Sequence, residues 1–312
     1  MKLRVLIVML LFPVLAHAES SALILSGAPG DDEHAKKYTA WTDTTRLILT
    51  GEMGFAPNRV IVLSNEKTTQ ADIKDAFAKL KEQLKPADSF FLFLIGHGSY
   101  DGLEYKFNNV GPDLTGSDFS KLLSTLSASR IVVVNSSSNS GGATEAMAGK
   151  NRMIVSATKT GFEGNDTVFY EYFLDGLKQS AADENKDHRI SVWEAFKFAV
   201  DGTERFYKDA GRIATEHPQI SDNGSPMTGV VPQAPVMANL TSFNVDRPVV
   251  VADAKLQALL DEQKQIQKKI EDLQISKPVD FDEQIEKLIL QLALKSQQVE
   301  ELQAQQKKTP VK

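Results

Sequence analysis

The sequence predicts an α/β fold in which a mostly parallel sheet is covered by helices on both faces. Apolar runs typical of buried strands alternate with segments of helical periodicity. The clearest runs are Phe90–Ile95 and Ile131–Val134, and each leads into a turn of small or polar residues. Because ligands of open α/β sheets bind beyond the carboxyl ends of the strands, we expect a functional site at these two turns.

The predicted elements follow in order along the chain. Strands are predicted at Ala22–Leu25, Arg59–Leu63, Phe90–Ile95, Ile131–Val134 and Met153–Ala157. Helices are predicted at about Asp32–Met53, Gln70–Lys85, Leu114–Leu126, Asp166–Gln179 and Val192–Tyr207. Thr68 or Thr69 is expected to cap the second helix, and Thr115 or Ser117 the third. The glycines within Ser26–Gly30 lack both phosphate-loop spacings, so we interpret that segment as a turn.

The first 18 residues have the parts of a secretory signal. Lys2 and Arg4 supply positive charge, Val5–Leu15 is apolar, and the tripeptide ending at Ala18 resembles a cleavage site. An N-terminal anchor helix is the alternative, although the apolar run is short for a bilayer and polar residues follow it. We therefore expect an exported protein, periplasmic or secreted, with residues 1–18 removed and no later membrane span.

Composition narrows the classes of function. The formal net charge is −6, which gives no reason to expect nucleic acid as a partner. The chain has no cysteine. That absence excludes disulfides, thiolate metal sites, a lipidated N-terminal cysteine and a cysteine nucleophile.

The chain changes character after Gly224. Residues 19–224 form the predicted main domain, and residues 225–251 are a predicted proline-containing linker. Residues 252–306 predict two helices that break at Pro278. Their apolar heptad positions are Leu256, Leu259, Ile266, Ile270 and Leu273, then Ile285, Leu288, Leu292, Val299 and Leu302. The pattern predicts a helical hairpin or coiled coil, which either docks on its own domain or makes a homo-oligomer.

Four segments in order resemble the caspase–legumain group of cysteine peptidases, most closely its legumain-like branch. They are Phe93–Ser99, Ser138–Gly141, Ala157–Gly161 and Phe169–Phe173. The resemblance covers about Ala22–Tyr207 and implies a caspase-like three-layer sandwich with a mostly parallel sheet. It implies that His97 stands at the family's catalytic histidine and Ser138 at its cysteine. It also implies that the N–H group of Gly98 lies in the oxyanion hole.

Two departures from that family concern the chemistry. A serine hydroxyl, unlike a thiol, needs a base within hydrogen-bond reach, and that base is usually oriented by a third group. The acidic residue of the family's specificity pocket is Ser136 here. Three interpretations stay open: a pseudopeptidase that binds a peptide or protein or serves assembly, a serine-dependent hydrolase using Ser138 and His97, or another activity on the same scaffold.

A second motif resembles the twelve-position calcium loop of EF-hands. Oxygen ligands at the expected positions are Asp183, Asn185, Asp187, Ser191 and Glu194, with the carbonyl of Arg189 at position 7. His188 departs from the pattern, because glycine normally makes the turn at position 6. The loop predicts a Ca²⁺ site. The alternative is an acidic cap, with Asp187 or Ser191 starting the next helix and no ion bound.

Overall fold

The computed structural model describes residues 18–227, 236–245, 254–276 and 278–308. All but the last residue of the predicted signal peptide lies outside the described residues. Residues 228–235 and 246–251 of the predicted linker also lie outside the described residues, as does residue 277, which precedes Pro278. The predictions made for those segments stay predictions.

Strands and helices alternate through the main domain. The strands are β1 (Ser20–Ser26), β2 (Val60–Leu63), β3 (Ser89–Ile95), β4 (Gly98–Tyr100), β5 (Tyr105–Phe107), β6 (Leu114–Thr115), β7 (Arg130–Asn135), β8 (Arg152–Ser156), β9 (Gln219–Asp222) and β10 (Ser225–Met227). The helices are α1 (Asp32–Thr50), α2 (Gln70–Gln83), α3 (Gly116–Leu123), α4 (Gly141–Met147), α5 (Phe169–Lys178), α6 (Val192–Asp209), α7 (Val236–Leu240), α8 (Ala254–Ser276) and α9 (Phe281–Lys308).

The main sheet has seven strands in the order β10-β9-β8-β7-β3-β1-β2. The five strands from β8 to β2 run parallel, and β9 and β10 extend the sheet as an antiparallel edge. A separate small sheet, β4-β5-β6, follows β3. The mostly parallel α/β sheet is therefore confirmed, while the antiparallel edge and the small sheet were not predicted.

Helices cover both faces of this sheet. One core cluster joins α1, α5 and α6 to the face that carries Phe91 and Phe93. The other joins α2, α3 and α4 to the opposite face, which carries Leu92 and Leu94. Alternate residues of β3 thus enter different cores, as the period of two in a strand requires. The arrangement is consistent with a three-layer α/β sandwich.

Two predicted helix starts are wrong by a few residues. The third helix begins at Gly116 rather than Leu114, because Leu114 pairs with Phe107 in the small sheet. Thr115 then caps the helix through a capping box with Asp118. The helix predicted to start at Asp166, which is α5, begins at Phe169. There the buried carboxylate of Glu216 accepts the N–H groups of residues 168 and 169 and so marks the helix start.

Part of the predicted linker packs on the domain. Residues 225–227 form β10, and residues 236–240 form α7. Phe243 is completely buried and contacts Phe91, Phe93 and Phe173 through its ring. The linker assignment is therefore too long, since large apolar burial of this kind belongs to the core.

The two C-terminal helices contact each other. Gln263 in α8 donates a hydrogen bond of 2.8 Å to the hydroxyl of Ser296 in α9. Lys295 forms an ion pair of 2.5 Å with Glu262. Gln263 and Lys295 occupy heptad positions between the apolar residues, and each has a polar partner on the facing helix. None of the described helices is long and apolar enough to cross a membrane.

Candidate functional site

The carboxyl ends of β3 and β7 lie side by side. The strands are parallel neighbours whose register pairs Leu94 with Asn135. His97 follows β3 and Ser138 follows β7, so both residues lie at the same edge of the sheet. The fold therefore brings together the two turns that the sequence singled out.

The hydroxyl of Ser138 contacts the backbone of Gly98. It donates a hydrogen bond of 3.1 Å to the carbonyl of Gly98, whose N–H group lies 3.3 Å from the same oxygen. Ser138 is 6% exposed. Within the described residues no hydrogen bond joins Ser138 to His97. The serine is therefore held by the chain segment that carries the histidine, and not by the imidazole itself.

Gly98 is required by close packing. A Cβ atom at this position would lie 2.5 Å from the carbonyl oxygen of Ser138 and 2.5 Å from Cε2 of Tyr105. Gly98 begins β4, where it pairs with Phe107. The absence of a side chain thus lets β4 approach the serine turn and places its N–H group beside Ser138.

The other serines of the turn are also hydrogen-bonded. Ser136 donates to the carbonyl of Leu94 at 2.9 Å. The hydroxyl of Ser137 lies 2.8 Å from Oδ1 of Asn135 and 2.7 Å from the hydroxyl of Tyr105. These buried contacts satisfy the polar groups of the turn and hold it in one conformation.

His97 lies in a cluster of polar and aromatic side chains. Its Nδ1 is 3.8 Å from a carboxylate oxygen of Asp166. The centroid of its ring is 4.5 Å from that of His34 and 5.5 Å from that of Tyr38. The side chain is 26% exposed, so this cluster is open to solvent on one side.

His34 connects two carboxylates. Its Nδ1 lies 2.7 Å from Asp31, and its Nε2 lies 2.8 Å from Asp166. Asp31 also accepts the backbone N–H of His34 at 2.8 Å and thereby caps α1. One ligand atom each from His34, His97 and Asp166 lies within 4.8 Å of the others, a spacing that could hold a metal ion.

The two histidines have pKa values shifted in opposite directions. The carboxylates of Asp166 and Asp31 accept hydrogen bonds from the ring of His34 and thereby raise its pKa above the ordinary value of 6.5. Burial lowers the pKa of His97, and the positive charge of His34 lowers it further. Asp166 opposes this by its negative charge, as does a backbone hydrogen bond with Pro29. Relative to a free imidazole, the surroundings therefore favour the charged form at His34 and the neutral form at His97.

Sequence reasoning missed three residues of this cluster, Asp31, His34 and Asp166. A signal for the first two was present, since Asp31 and His34 stand three apart at a predicted helix start that follows a strand. Asp166 lies 132 positions away from His34, and only the packing of the loop before α5 beside α1 brings them together.

The backbone of the predicted calcium loop donates hydrogen bonds to the loop's own acidic side chains. The carboxylate of Asp183 accepts the N–H groups of Asp187 and His188 at 3.1 and 2.8 Å. Asp187 accepts the N–H group of Arg189 at 2.9 Å. His188 has a φ of 62°, so it adopts the left-handed conformation that glycine normally supplies at this position of the motif.

Glu194 points into the loop from the first turn of α6. It is 3% exposed. One carboxylate oxygen accepts the N–H groups of Glu184 and Asn185, at 3.1 and 3.4 Å. The other oxygen accepts the N–H and hydroxyl groups of Ser191, which caps the helix in a capping box. Both the predicted last ligand and the predicted helix cap are thus present in one network.

Negative charge is concentrated within this loop. Burial raises the pKa of Asp187 to about 6, and the nearby charges of Glu194 and Asp183 also raise it. Within the described residues, only His34, His97 and Asp166 bring one ligand atom each within 4.8 Å of the others. The carboxylate oxygens of Asp183, Asp187 and Glu194 do not come that close together. The loop therefore holds its carboxylates near one another, but wider apart than the histidine cluster does.

A short segment after α7 supports the predicted calcium loop. The N–H group of Ile190 donates to Oδ1 of Asn244 at 2.7 Å, and Phe243 donates its N–H to the carbonyl of Ile190 at 2.9 Å. Asn185, Asp187 and Arg189 also line a cavity of about 520 Å³ between this segment and the C-terminal helices. The loop is therefore held from one side by residues that the sequence assigned to a linker.

An aromatic pair lies on the surface near the serine turn. Phe162 is 79% exposed, and its ring packs edge-on against that of Tyr100 at 5.2 Å. Tyr100 ends β4, the strand that begins at Gly98. Phe162 follows the loop in which Gly161 accepts a hydrogen bond from the amide of Asn139. An exposed aromatic ring therefore lies at the margin of the site.

Comparison with known proteins identifies the fold and not the function. No family model matches the chain, and no curated protein matches it in sequence. Among solved structures, protein GSU0716 from Geobacter sulfurreducens, a structural-genomics target, is similar with a TM-score of 0.50. The identity is 17%, and the match covers 73% of this chain and 100% of that chain. At this identity the likeness shows the shared α/β fold alone.

Proposed function

We propose that this chain is an exported, caspase-like pseudopeptidase that binds a polypeptide segment in a cleft at the strand ends beside His97 and Ser138. The observation that carries the proposal is the bonding of Ser138. Its hydroxyl pairs with the backbone of Gly98, and no hydrogen bond to His97 is present among the described residues. A serine without a base stays protonated and is a poor nucleophile.

The contacts of His97 support the same proposal. Its nearest charged neighbour is Asp166, which also bonds to His34, so the carboxylate is shared between two imidazoles. The N–H group of Gly98, which the family resemblance assigns to the oxyanion hole, lies against the hydroxyl of Ser138. The resemblance to legumain-like peptidases supplies the class of ligand, an extended peptide.

The alternative, a hydrolase with Ser138 as nucleophile and His97 as base, is tested with a fluorophosphonate probe. We expect the full chain and the Ser138→Ala variant to show the same background labelling. Labelling of the parent chain that disappears in Ser138→Ala would contradict the pseudopeptidase proposal. His97→Gln serves as a second variant, because a true serine–histidine pair would also lose labelling there.

The aromatic pair at the margin of the cleft is the proposed contact for an apolar peptide side chain. Exposed aromatic rings bind side chains with large contact area, and Phe162 is already oriented by Tyr100. Peptides selected from a display library on the full chain should bind the Phe162→Ser variant at least about tenfold more weakly. Leu47→Ser, which removes another exposed apolar side chain, is the control. Equal binding to both variants would overturn the assignment.

We also propose that residues Asp183–Glu194 bind Ca²⁺. The left-handed His188 and the inward carboxylates of Asp183, Asp187 and Glu194 support this proposal. Ion binding must displace some of the hydrogen bonds that Glu194 now accepts, which favours a weak site suited to millimolar extracellular calcium. The expected Ca²⁺-dependent rise in melting temperature should shrink in Glu194→Gln, since glutamine keeps the capping box but lacks the charge. A parent chain without any calcium response would dispose of the site.

The C-terminal helices are proposed to mediate self-association or attachment to a partner. The last helix, α9, carries Ile289, Leu290 and Leu294, which are each more than half exposed. A soluble helix pair rarely leaves such residues together without a partner surface. This role accords with the assembly function considered for the whole chain.

A further inference from the structure

We propose that His34, His97 and Asp166 bind a divalent transition-metal ion of the zinc type. The three side chains come from separate segments: the first turn of α1, the loop after β3 and the loop before α5. Two imidazoles and a carboxylate are a donor set that zinc and its neighbours prefer. The site is distinct from the predicted calcium loop and does not involve Ser138.

The geometry is close to that of a coordinated ion. Ligand atoms about 2.1 Å from a tetrahedral ion lie roughly 3.4 Å from one another. One atom from each of the three side chains already lies within 4.8 Å of the others. The pair formed by His34 Nε2 and Asp166 is closer, at 2.8 Å, because a hydrogen bond now joins the two atoms. A small rotation of the His34 and Asp166 side chains would therefore open the space in which a metal ion replaces the proton that they share.

Asp31 orients the first ligand. Histidines that bind metal ions usually donate their second ring nitrogen to a carboxylate or backbone carbonyl, which fixes the ring and its tautomer. Asp31 accepts from Nδ1 of His34 at 2.7 Å and so directs Nε2 toward Asp166. Asp31 is itself held at the N-terminus of α1 by the backbone of His34. The outer contact of a metal site is therefore already built.

The charge of the cluster also favours a cation. Asp31 and Asp166 supply two negative charges, and in the described part of the chain neither pairs with a lysine or arginine. The side chains of His34, His97 and Asp166 are 18%, 26% and 55% exposed, so water can complete the coordination. Three protein ligands with an open position are typical of sites that exchange a water or bind a further ligand.

Nitrogen ligands separate this site from the calcium loop. Calcium prefers oxygen donors, whereas imidazole suits zinc, cobalt and nickel. Zinc titrations of the EDTA-treated full chain should therefore be done by calorimetry with excess Ca²⁺ present. The expected result is one zinc ion per chain, and the visible spectrum of bound Co²⁺ should report imidazole coordination.

Two variants and one control test the ligands. His34→Gln and the more exposed Asp166→Asn should each weaken zinc binding by at least about tenfold. His217→Gln is the control, because it removes another carboxylate-paired histidine outside the cluster and should bind zinc normally. Circular dichroism shows whether each variant is folded. If His34→Gln does not fold, the zinc affinity of Asp166→Asn is the test of the proposal. Unchanged affinity in the folded ligand variants, no zinc binding in the parent, or loss only in His217→Gln would overturn the proposal.

Discussion

At the scale of single residues, Ser138 and His97 lie at adjacent strand ends without a hydrogen bond between them in the described part of the chain. Ser138 donates to the carbonyl of Gly98, whereas Nδ1 of His97 lies 3.8 Å from a carboxylate oxygen of Asp166. Gly98 stands between them and determines how closely the two turns approach. Asp31 and His34 form a local unit in which one carboxylate caps α1 and also raises the pKa of the imidazole.

The first prediction concerns Gly98. Gly98→Ala should lower the free energy of unfolding by about 1–3 kcal/mol, because the new methyl group would overlap Ser138 and Tyr105. Urea unfolding measures the effect. Gly116→Ala is the matched control, since its Cβ would meet its nearest neighbour at an ordinary 3.4 Å. Equal free energies of unfolding for the two variants would contradict this prediction, because β4 would then shift to accommodate the methyl group at little cost.

The second prediction concerns the charge on His34. Its folded pKa is raised above 6.5, so the pairing with Asp166 and Asp31 stabilises the protein fully below that pH. The contribution is lost as the pH rises through the folded pKa. Asp31→Asn keeps a good helix cap but removes one charge, so the pKa of His34 should fall. A proton-NMR titration of the imidazole measures it, and an unchanged pKa would contradict the assignment of Asp31.

At the scale of elements, the predicted calcium loop is supported by a segment about 50 positions further along the chain. Residues 241–245 add a short bridge beside Ile190, and buried Phe243 anchors that bridge to the central sheet. The loop backbone therefore has a fixed support on one side, while its acidic side chains gather on the other. Helix α6 begins directly at the loop, so a change in Glu194 affects both.

The third prediction concerns the pH dependence of this loop. Asp187 has a folded pKa raised from 3.8 to about 6, so without Ca²⁺ the folded protein binds a proton that the unfolded chain releases. The free energy of unfolding should therefore increase as the pH falls through about 6. The increase should continue until the pH reaches the unfolded pKa, and below that pH the gain is complete. Melting temperatures measured in chelator should show this increase.

The Asp187→Asn variant isolates that effect. It should be more stable than the parent near neutral pH in chelator, and its melting temperature should depend less on pH, because the repelled charge is gone. It should also respond less to Ca²⁺, since a ligand is weakened. A variant with the parent's pH dependence would show that the charge of Asp187 is not responsible.

At the scale of the whole molecule, one sheet positions every site discussed. The parallel strands deliver His97 and Ser138 to one edge, and β9 and β10 extend the opposite side of β8. The C-terminal helices contribute residues to the cavity beside the predicted calcium loop.

The fourth prediction concerns self-association through the C-terminal helices. Sedimentation equilibrium of the full chain should show reversible self-association, and Leu290→Gln with Leu294→Gln should weaken it by at least about tenfold, because exposed apolar area is lost from α9. Leu47→Gln, an exposed leucine on α1, should leave association unchanged. A parent chain that stays monomeric at every concentration would contradict the proposed role.

The sequence by itself determined the five parallel strands and most of the helices that alternate with them, because β-branched apolar runs and helical periodicity are local properties. It also located His97, Ser138 and the acidic loop. The tertiary structure alone decided what each of these residues contacts, since hydrogen bonds such as Ser138 to Gly98 join distant segments. The approach of Asp166 to His34 spans 132 positions, and the burial of Phe243 depends on packing. No periodicity encodes such contacts, because they arise when the sheet brings its strand ends together.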